Sequence, residues 1–318
     1  MTEIINRQEA VPAALNYARF DQAASSMFPE FSRSRLQAWI KSGALKANGE
    51  VLRPRDKVHE GDVLSLSAEL QPEGRFEPEP IALDVVYEDE DILVINKPAG
   101  LVVHPGAGNP GGTLLNALLN HSPVMDTLPR AGIVHRLDRD TSGIMVIAAN
   151  EHAMAHLANQ FFERTTERTY WAVVWGNVEE DSGTIIGNIG RSPKNRKIYQ
   201  VYPEGDQGKH AVTHYRVLER LGYVTLVECK LETGRTHQIR VHMKYIGHTL
   251  FNDKEYGGDK ILKGTTFTKY KQFVQNCFSI CNRQALHAKS LQFSHPTSNE
   301  NMNFDSELPE DFSGILEK

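Results

Sequence analysis

Nine consecutive residues, His135-Arg136-Leu137-Asp138-Arg139-Asp140-Thr141-Ser142-Gly143, gather two carboxylates, two guanidiniums, an imidazole and two hydroxyls. A carboxylate can serve as nucleophile or as general base, and a guanidinium can hold it ionised or meet a phosphate. Asp138 and Asp140 together would also suit a glycosidase, which works with a carboxylate pair. A turn of solvated charges is the alternative reading. A second polar patch runs from Leu231 to His242 and carries Arg235, His237 and Arg240 where a Thr-Gly turn opens a helix. Helix openings and arginines both suit anions. Two such patches in one domain point to a shared cleft.

Such groups need rigid mounts. Ile133-Val134 precede the first patch and an apolar run follows it, so the loop feeds a strand over Gly143–Ala149. Further strands are expected over Ile92–Asn96, Thr169–Val174 and Tyr223–Leu231. His152–Phe162 has helical apolar spacing. So does Thr236–Ile246, with Ile239, Met243 and Ile246 inward and Gly247 as its stop. Strands cluster rather than alternate with helices. The fold class is therefore α+β: a mixed, mainly antiparallel sheet with flanking helices, preceded by a small α+β module. In that module Ser32 is expected to cap a helix over Arg33–Ser42, Asn48-Gly49 signals a hairpin, and Val63–Leu66 is a short strand. Residues 1–16 read as a loosely held lead-in. The expected boundaries are 17–70 for the small domain, 71–80 for a Pro/Gly/Glu linker and 81–318 for the large domain.

The net charge of −5 hides local bias. Residues 31–57 carry seven basic side chains against two acidic, and residues 187–216 six against two. Residues 77–91 hold seven acids and no base. Basic faces of this kind can bind a polyanion despite the overall sign. No signal peptide or membrane span is evident, and three cysteines without Cys-x-x-Cys spacing fit a reducing, cytoplasmic setting as buried thiols. Gly106-x-Gly108-x-x-Gly111 matches a dinucleotide pattern but contains Asn109-Pro110 and lacks its strand context, so it reads as a loop. Neither a zincin His pair nor a Gly-x-Ser-x-Gly elbow occurs, which argues against metal or serine-hydrolase chemistry.

His135 to Gly143 resembles the His-Arg-Leu-Asp signature of RNA pseudouridine synthases of the large-subunit ribosomal type. Asp89–Gly100, Arg168-Thr169-Tyr170-Trp171-Ala172, Thr233–His242 and Ala285–Ala288 with His295-Pro296 resemble its other segments, in order. Residues 17–68 are similar to the alpha-L RNA-binding module that precedes some members. The resemblance implies that Asp138 is the catalytic aspartate, Tyr170 packs on the target base and Arg240 pairs with Asp138. It implies that Arg136 fills the gap left by a flipped uridine and that Asp140 is a turn residue. Arg235, His237, Arg33 and Arg35 are expected to contact RNA. The chain departs from the family's pattern at Phe20, usually Leu, and at Gly247–Asp253, where Gly-His-Pro-Ile-x-Gly-Asp is usual; neither is expected to touch the chemistry, and any effect of the second is expected at a loop near the substrate.

The implied reaction breaks a C–N glycosidic bond, turns the uracil over and joins its carbon five to the ribose. It involves no redox change or net hydrolysis, so no cofactor and no metal are expected. The expected substrate is large-subunit rRNA, free or in a pre-ribosomal particle, with tRNA as the alternative. A non-catalytic RNA-binding protein is a third reading, and it predicts a lost aspartate or tyrosine. The chain is expected to be a monomer with no membrane association.

Overall fold

The computed structural model describes residues 3–29, 31, 33–70, 76–106 and 108–318. It divides into two compact units, 1–75 and 76–318. In the smaller unit, strand β1 (Glu3–Ala10) is followed by helices α1 (Phe20–Met27) and α2 (Arg33–Ser42) and strands β2 (Leu45–Ala47) and β3 (Val63–Leu70). Helix α2 has the expected bounds. Ser32, its expected cap, and residues 71–75 of the expected linker lie outside the described residues, as does the Arg33 side chain.

β1 corrects the reading of residues 1–16 as a loose lead-in: it pairs with β3 along its whole length, from Glu3↔Leu70 to Ala10↔Val63. A largely polar edge strand gives little signal because its stability comes from a ladder with a partner some sixty residues away. Asn48 and Gly49 do turn, at φ 50° and 79°. The strand they serve, however, pairs with β3, Leu45↔Leu66 to Ala47↔Leu64. The Asn48 carboxamide spans the gap, accepting from Val63 N at 2.8 Å and donating to Asp62 at 2.8 Å. Phe20 is fully buried in this unit's core.

The larger unit runs β4 (Val85–Glu88), β5 (Ile92–Lys97), α3 (Leu114–His121), β6 (Ser142–Ala148), α4 (Glu151–Glu163), β7 (Glu167–Trp175), β8 (Ser182–Arg191), β9 (Tyr199–Tyr202), β10 (Lys209–Arg220), β11 (Val224–Leu231), α5 (Gln238–Tyr245), α6 (Thr268–Ile280), β12 (Leu286–Ser294), β13 (Asn301–Asp305) and α7 (Glu310–Leu316). Its strands form one sheet in the order β4-β5-β6-β12-β7-β11-β10-β8-β9, with β13 also on β12. Every strand-to-strand pairing described in this sheet is antiparallel except β6 with β12. The second half of the expected linker is tied to this unit, because Asn116 of α3 donates to Glu77 O and its own carbonyl accepts from Glu79 N.

Both faces of the central strands are covered, so β6 is buried throughout and reads as an unbroken apolar run. Leu93, Ile95, Met145 and Ile147 face α3 and α5; Ile92, Val94, Ile144 and Val146 face α4. Fully burying one such side chain contributes about 1.5–3 kcal/mol. These strands therefore form a stiff base at whose ends loops are held with little freedom.

Candidate active site

The 135–141 loop enters β6 at Gly143, whose φ is +119° and whose backbone lies against β12; a Cβ there would come within 2.2 Å of the Ala288 carbonyl. Only glycine combines that φ with that approach. The loop's own groups are spoken for at each step. His135 stacks on Phe161 of α4, and its Nε2 accepts from Val146 N at 3.1 Å. Burial pushes its pKa down to about 3, which keeps the ring neutral and able to accept. Thr141 N donates to Asp138 O at 3.1 Å. The Arg139 carbonyl accepts from Gly100 N and from the buried Lys97 ammonium, both at 2.9 Å. The Asp140 carbonyl accepts from Arg283 Nη1 at 2.9 Å. Main-chain clamps on three successive residues leave the Asp138 side chain on a fixed mount.

The Asp138 carboxylate lies at the base of a pocket lined also by Arg136, Tyr170, Arg235, His237 and Arg240. All six site residues expected in the large domain thus come together. Arg240, on α5, donates from Nη1 to Asp138 Oδ2 at 3.0 Å. Its other donors are held from behind: Nε and Nη2 form a fork on Asp253, at 2.7 and 2.8 Å, and Nη2 also meets Glu255 at 2.6 Å. Its guanidinium stands over the Tyr256 ring, 4.9 Å from the centroid. Burial works against the charge, but these carboxylates outweigh it and raise the Arg240 pKa. Arg240 is a permanent cation aimed at Asp138.

Tyr170 is on β7, between Cys229 of β11 and Ala288 of β12. Burial raises its pKa, so its hydroxyl keeps its proton at neutral pH. His237 puts Nε2 3.9 Å from Asp138 and Nδ1 2.8 Å from the Tyr256 hydroxyl. Burial lowers its pKa, with Asp138 acting in the other direction. Arg136 is exposed at the mouth. Arg235 donates from Nε to His210 O at 3.0 Å. The Asp140 carboxylate is taken up by the exposed Arg139, at 3.0 and 3.1 Å, as suits a turn residue. Arg35 lies on α2 in the smaller unit, over the Trp39 ring.

One sequence expectation at the site needs correction. The helix expected over Thr236–Ile246 starts at Gln238, because His237 takes left-handed φ of 57°. The entry is fixed by Gln238, whose Oε1 accepts from Thr233 Oγ1 at 2.7 Å and Arg235 N at 3.0 Å. Arg235 and His237 therefore sit on the approach to the helix. The Gly247–Asp253 loop, whose departures were expected to bear only on a loop near the substrate, also supplies Asp253, a position shared with the usual pattern, which is buried and grips Arg240. Where the usual pattern has glycine, Asn252 adopts φ 55°, and its side chain donates to the Phe278 and Cys281 carbonyls at the end of α6. Asp253, Glu255 and Lys97 were not singled out in the sequence. Asp253 and Lys97 each lie in a motif segment, but neither motif says what they touch. The three cysteines are buried, as expected.

Comparison with known proteins settles the class. A family model described as RNA pseudouridylate synthase matches residues 91–245, and an S4 domain model matches residues 18–64. The ribosomal large subunit pseudouridine synthase D of Pseudomonas aeruginosa is 49% identical over 320 residues, covering 99% of this chain and 96% of that protein. The chain belongs to the RNA pseudouridylate synthase family. It is accordingly an isomerase. Proteins of the same name from Xylella fastidiosa and Escherichia coli are 47% and 46% identical, over 98% and 94% of this chain and 92% and 90% of theirs. The solved human RNA pseudouridylate synthase domain containing 1 is 30% identical, with a TM-score of 0.53 over 73% of this chain and 86% of that one. The human domain containing 4 shares the fold, at 23% identity and TM-score 0.55, over 73% and 91%. The mixed sheet with flanking helices is thus the synthase fold, and the family excludes a glycosidase built on Asp138 and Asp140.

Proposed function

We propose that this synthase isomerises uridine in large-subunit ribosomal RNA, with Asp138 as the catalytic residue. The observation that carries the assignment is the buried Arg240 guanidinium. It is braced by Asp253 and Glu255 and donates at 3.0 Å to an aspartate that shares a pocket with Tyr170. The near full-length relatives whose names specify the ribosomal large subunit favour that substrate over tRNA.

Asp138 acts as nucleophile or base at the sugar or the base of the target nucleotide. The N1–C1′ bond breaks, the uracil rotates, and C5 bonds to C1′; the C5 proton is lost and N1 gains one. Arg240 keeps the carboxylate in place as water is excluded. The Tyr170 ring packs on the uracil, with its hydroxyl near the departing C5 proton. Extruding the uridine costs a few kcal/mol, and Arg136 filling the vacated space offsets part of it. Arg235 and His237 contact the RNA at the pocket. The smaller unit, residues 1–75, binds RNA through Arg33 and Arg35. The enzyme works as a cytoplasmic monomer without metal or cofactor.

Mapping pseudouridines in the rRNA and tRNA of cells with and without the protein tests the substrate. Loss of pseudouridine at defined large-subunit positions, restored by the wild-type chain and not by Asp138→Asn, is the expected result. Unchanged rRNA with altered tRNA would move the assignment to tRNA.

A further inference from the structure

The larger unit places more positive charge beside Asp138 than its pairing with Arg240 uses. Arg130, Arg136, Arg168 and Arg235 line a groove that starts at Asp138 and Tyr170 and passes His104 and Phe161. Among the described residues, Asp138 is the one carboxylate in that lining, and it is already met by Arg240. Among the described residues, none of the four guanidiniums forms an ion pair with a carboxylate.

Arg168 is the unusual member. It is 9% exposed, and its Nε is buried without any hydrogen-bond partner. Its Nη2 reaches the Leu231 carbonyl only at 3.4 Å, and its guanidinium stands over the Phe161 ring at 5.7 Å. Gly234 leaves it room: a Cβ there would come within 2.7 Å of Nη1. Arg235, one residue on, is close enough for the two like charges to oppose each other, and Arg164 opposes Arg235 in turn. A purely structural arginine stacked on Phe161 would need neither an unmet donor nor a second guanidinium beside it. Fixed cations without counter-charges along one groove make a preorganised site for an anion.

We infer that Arg168 and Arg235 form a phosphate subsite that holds the phosphodiester flanking the flipped uridine. The inference rests on the proposed reaction at Asp138: a strand whose uridine enters the pocket must leave along a groove that opens from it. Gripping the adjacent phosphate fixes C1′ against the Asp138 carboxylate. The Arg168 guanidinium is already held over the Phe161 ring, so part of the affinity is built in before RNA arrives.

The test uses the full chain and the rRNA stem-loop that contains the mapped uridine. Single phosphates on either side of that uridine are replaced by methylphosphonate, which removes the charge and keeps the shape. One replacement is expected to weaken wild-type binding roughly 10–100-fold, the range for a charge-assisted contact. Arg168→Gln should weaken binding of unmodified RNA by a similar factor, and the same replacement should then cost nothing further. The dependence of log affinity on log salt should fall by about 0.7–0.9, one phosphate contact. Wild-type affinity and salt slope in Arg168→Gln overturns the inference. So does a methylphosphonate penalty that is undiminished at both flanking positions. If Arg168→Gln fails to fold, Arg235→Gln, at a half-buried position, carries the same cycle with the same two outcomes. Wild-type enzyme that makes no pseudouridine in this RNA defeats the proposed substrate. Normal isomerisation without coupling defeats the subsite alone.

Discussion

Removing Arg240 and removing Asp253 should have unequal effects, because the two are buried in unequal company. Arg240→Met leaves the fully buried Asp253 carboxylate with, among the described residues, only the weak 3.3 Å bond from Tyr256 N. An orphaned buried carboxylate costs about 3–5 kcal/mol. For a domain of this size each kcal/mol moves the melting point by about 2–4 °C, so the expected drop is roughly 6–20 °C. Asp253→Asn instead leaves Arg240 with Asp138 and Glu255, and Glu255 is half exposed. The loss is that of weakened charge-assisted bonds, about 1.5–3 kcal/mol. Replacing both residues, Arg240→Met with Asp253→Leu, removes both charges and should recover most of the stability. Activity should not return, because the guanidinium that donates to Asp138 is gone. Stability is read by denaturant unfolding with tryptophan fluorescence, since Trp171 and Trp175 both lie in the larger unit. Activity is read by release of tritium from carbon five of labelled uridine in rRNA. If the double variant isomerises near the wild-type rate, Arg240 plays no part in the chemistry. If Arg240→Met is as stable as Asp253→Asn, the argument from burial is wrong.

Other consequences follow from the same contacts. Tyr170→Phe keeps the ring and loses the hydroxyl, so RNA affinity should hold while single-turnover isomerisation slows by about 10²–10⁴; an unchanged rate would remove the hydroxyl from the mechanism. His287 is fully buried with its pKa pushed down to about 4 by burial, and its Nδ1 lies 2.9 Å from Ser142 Oγ. A histidine lowered in the fold lets the unfolded chain take up protons first, so its contribution is intact above about 6.5 and is lost as pH falls toward 4. The full loss is about 3 kcal/mol, and His287→Asn should flatten the decline of stability over that range; an identical slope would contradict it. Gly143→Ala should cost at least roughly 1–3 kcal/mol in backbone strain, with further loss from the clash against β12, and an unshifted unfolding midpoint would refute the reading of that approach.

Elements whose signal is local were legible in the sequence. The strand after Gly143 carries its burial in an unbroken apolar run, and α4 in its apolar spacing, so both appear within a residue or two of their expected bounds. α2 ends where Gly43 was expected to stop it. What needed the fold is long-range. β1 is a strand only because β3 is beside it, and β6 lies parallel to β12 across 145 residues of sequence. The start of α5 moved because His237 accepts a left-handed conformation that no propensity would assign it. At the site, motif positions told which side chains converge but not what braces them. Asp253 and Glu255 matter through the back of a guanidinium, and Lys97 through three carbonyl oxygens, none of which has a spacing rule.

The central claim is that the carboxylate of Asp138 carries the isomerisation. Its side chain is partly open to solvent and is gripped from one side by Arg240, so Asp138→Asn should fold and bind RNA as the wild type does. Incubated with deproteinised large-subunit rRNA labelled with tritium at carbon five of uridine, the wild-type chain should release tritium stoichiometrically with the pseudouridine formed. Asp138→Asn should release none above background. Release by that variant at the wild-type rate would contradict the account.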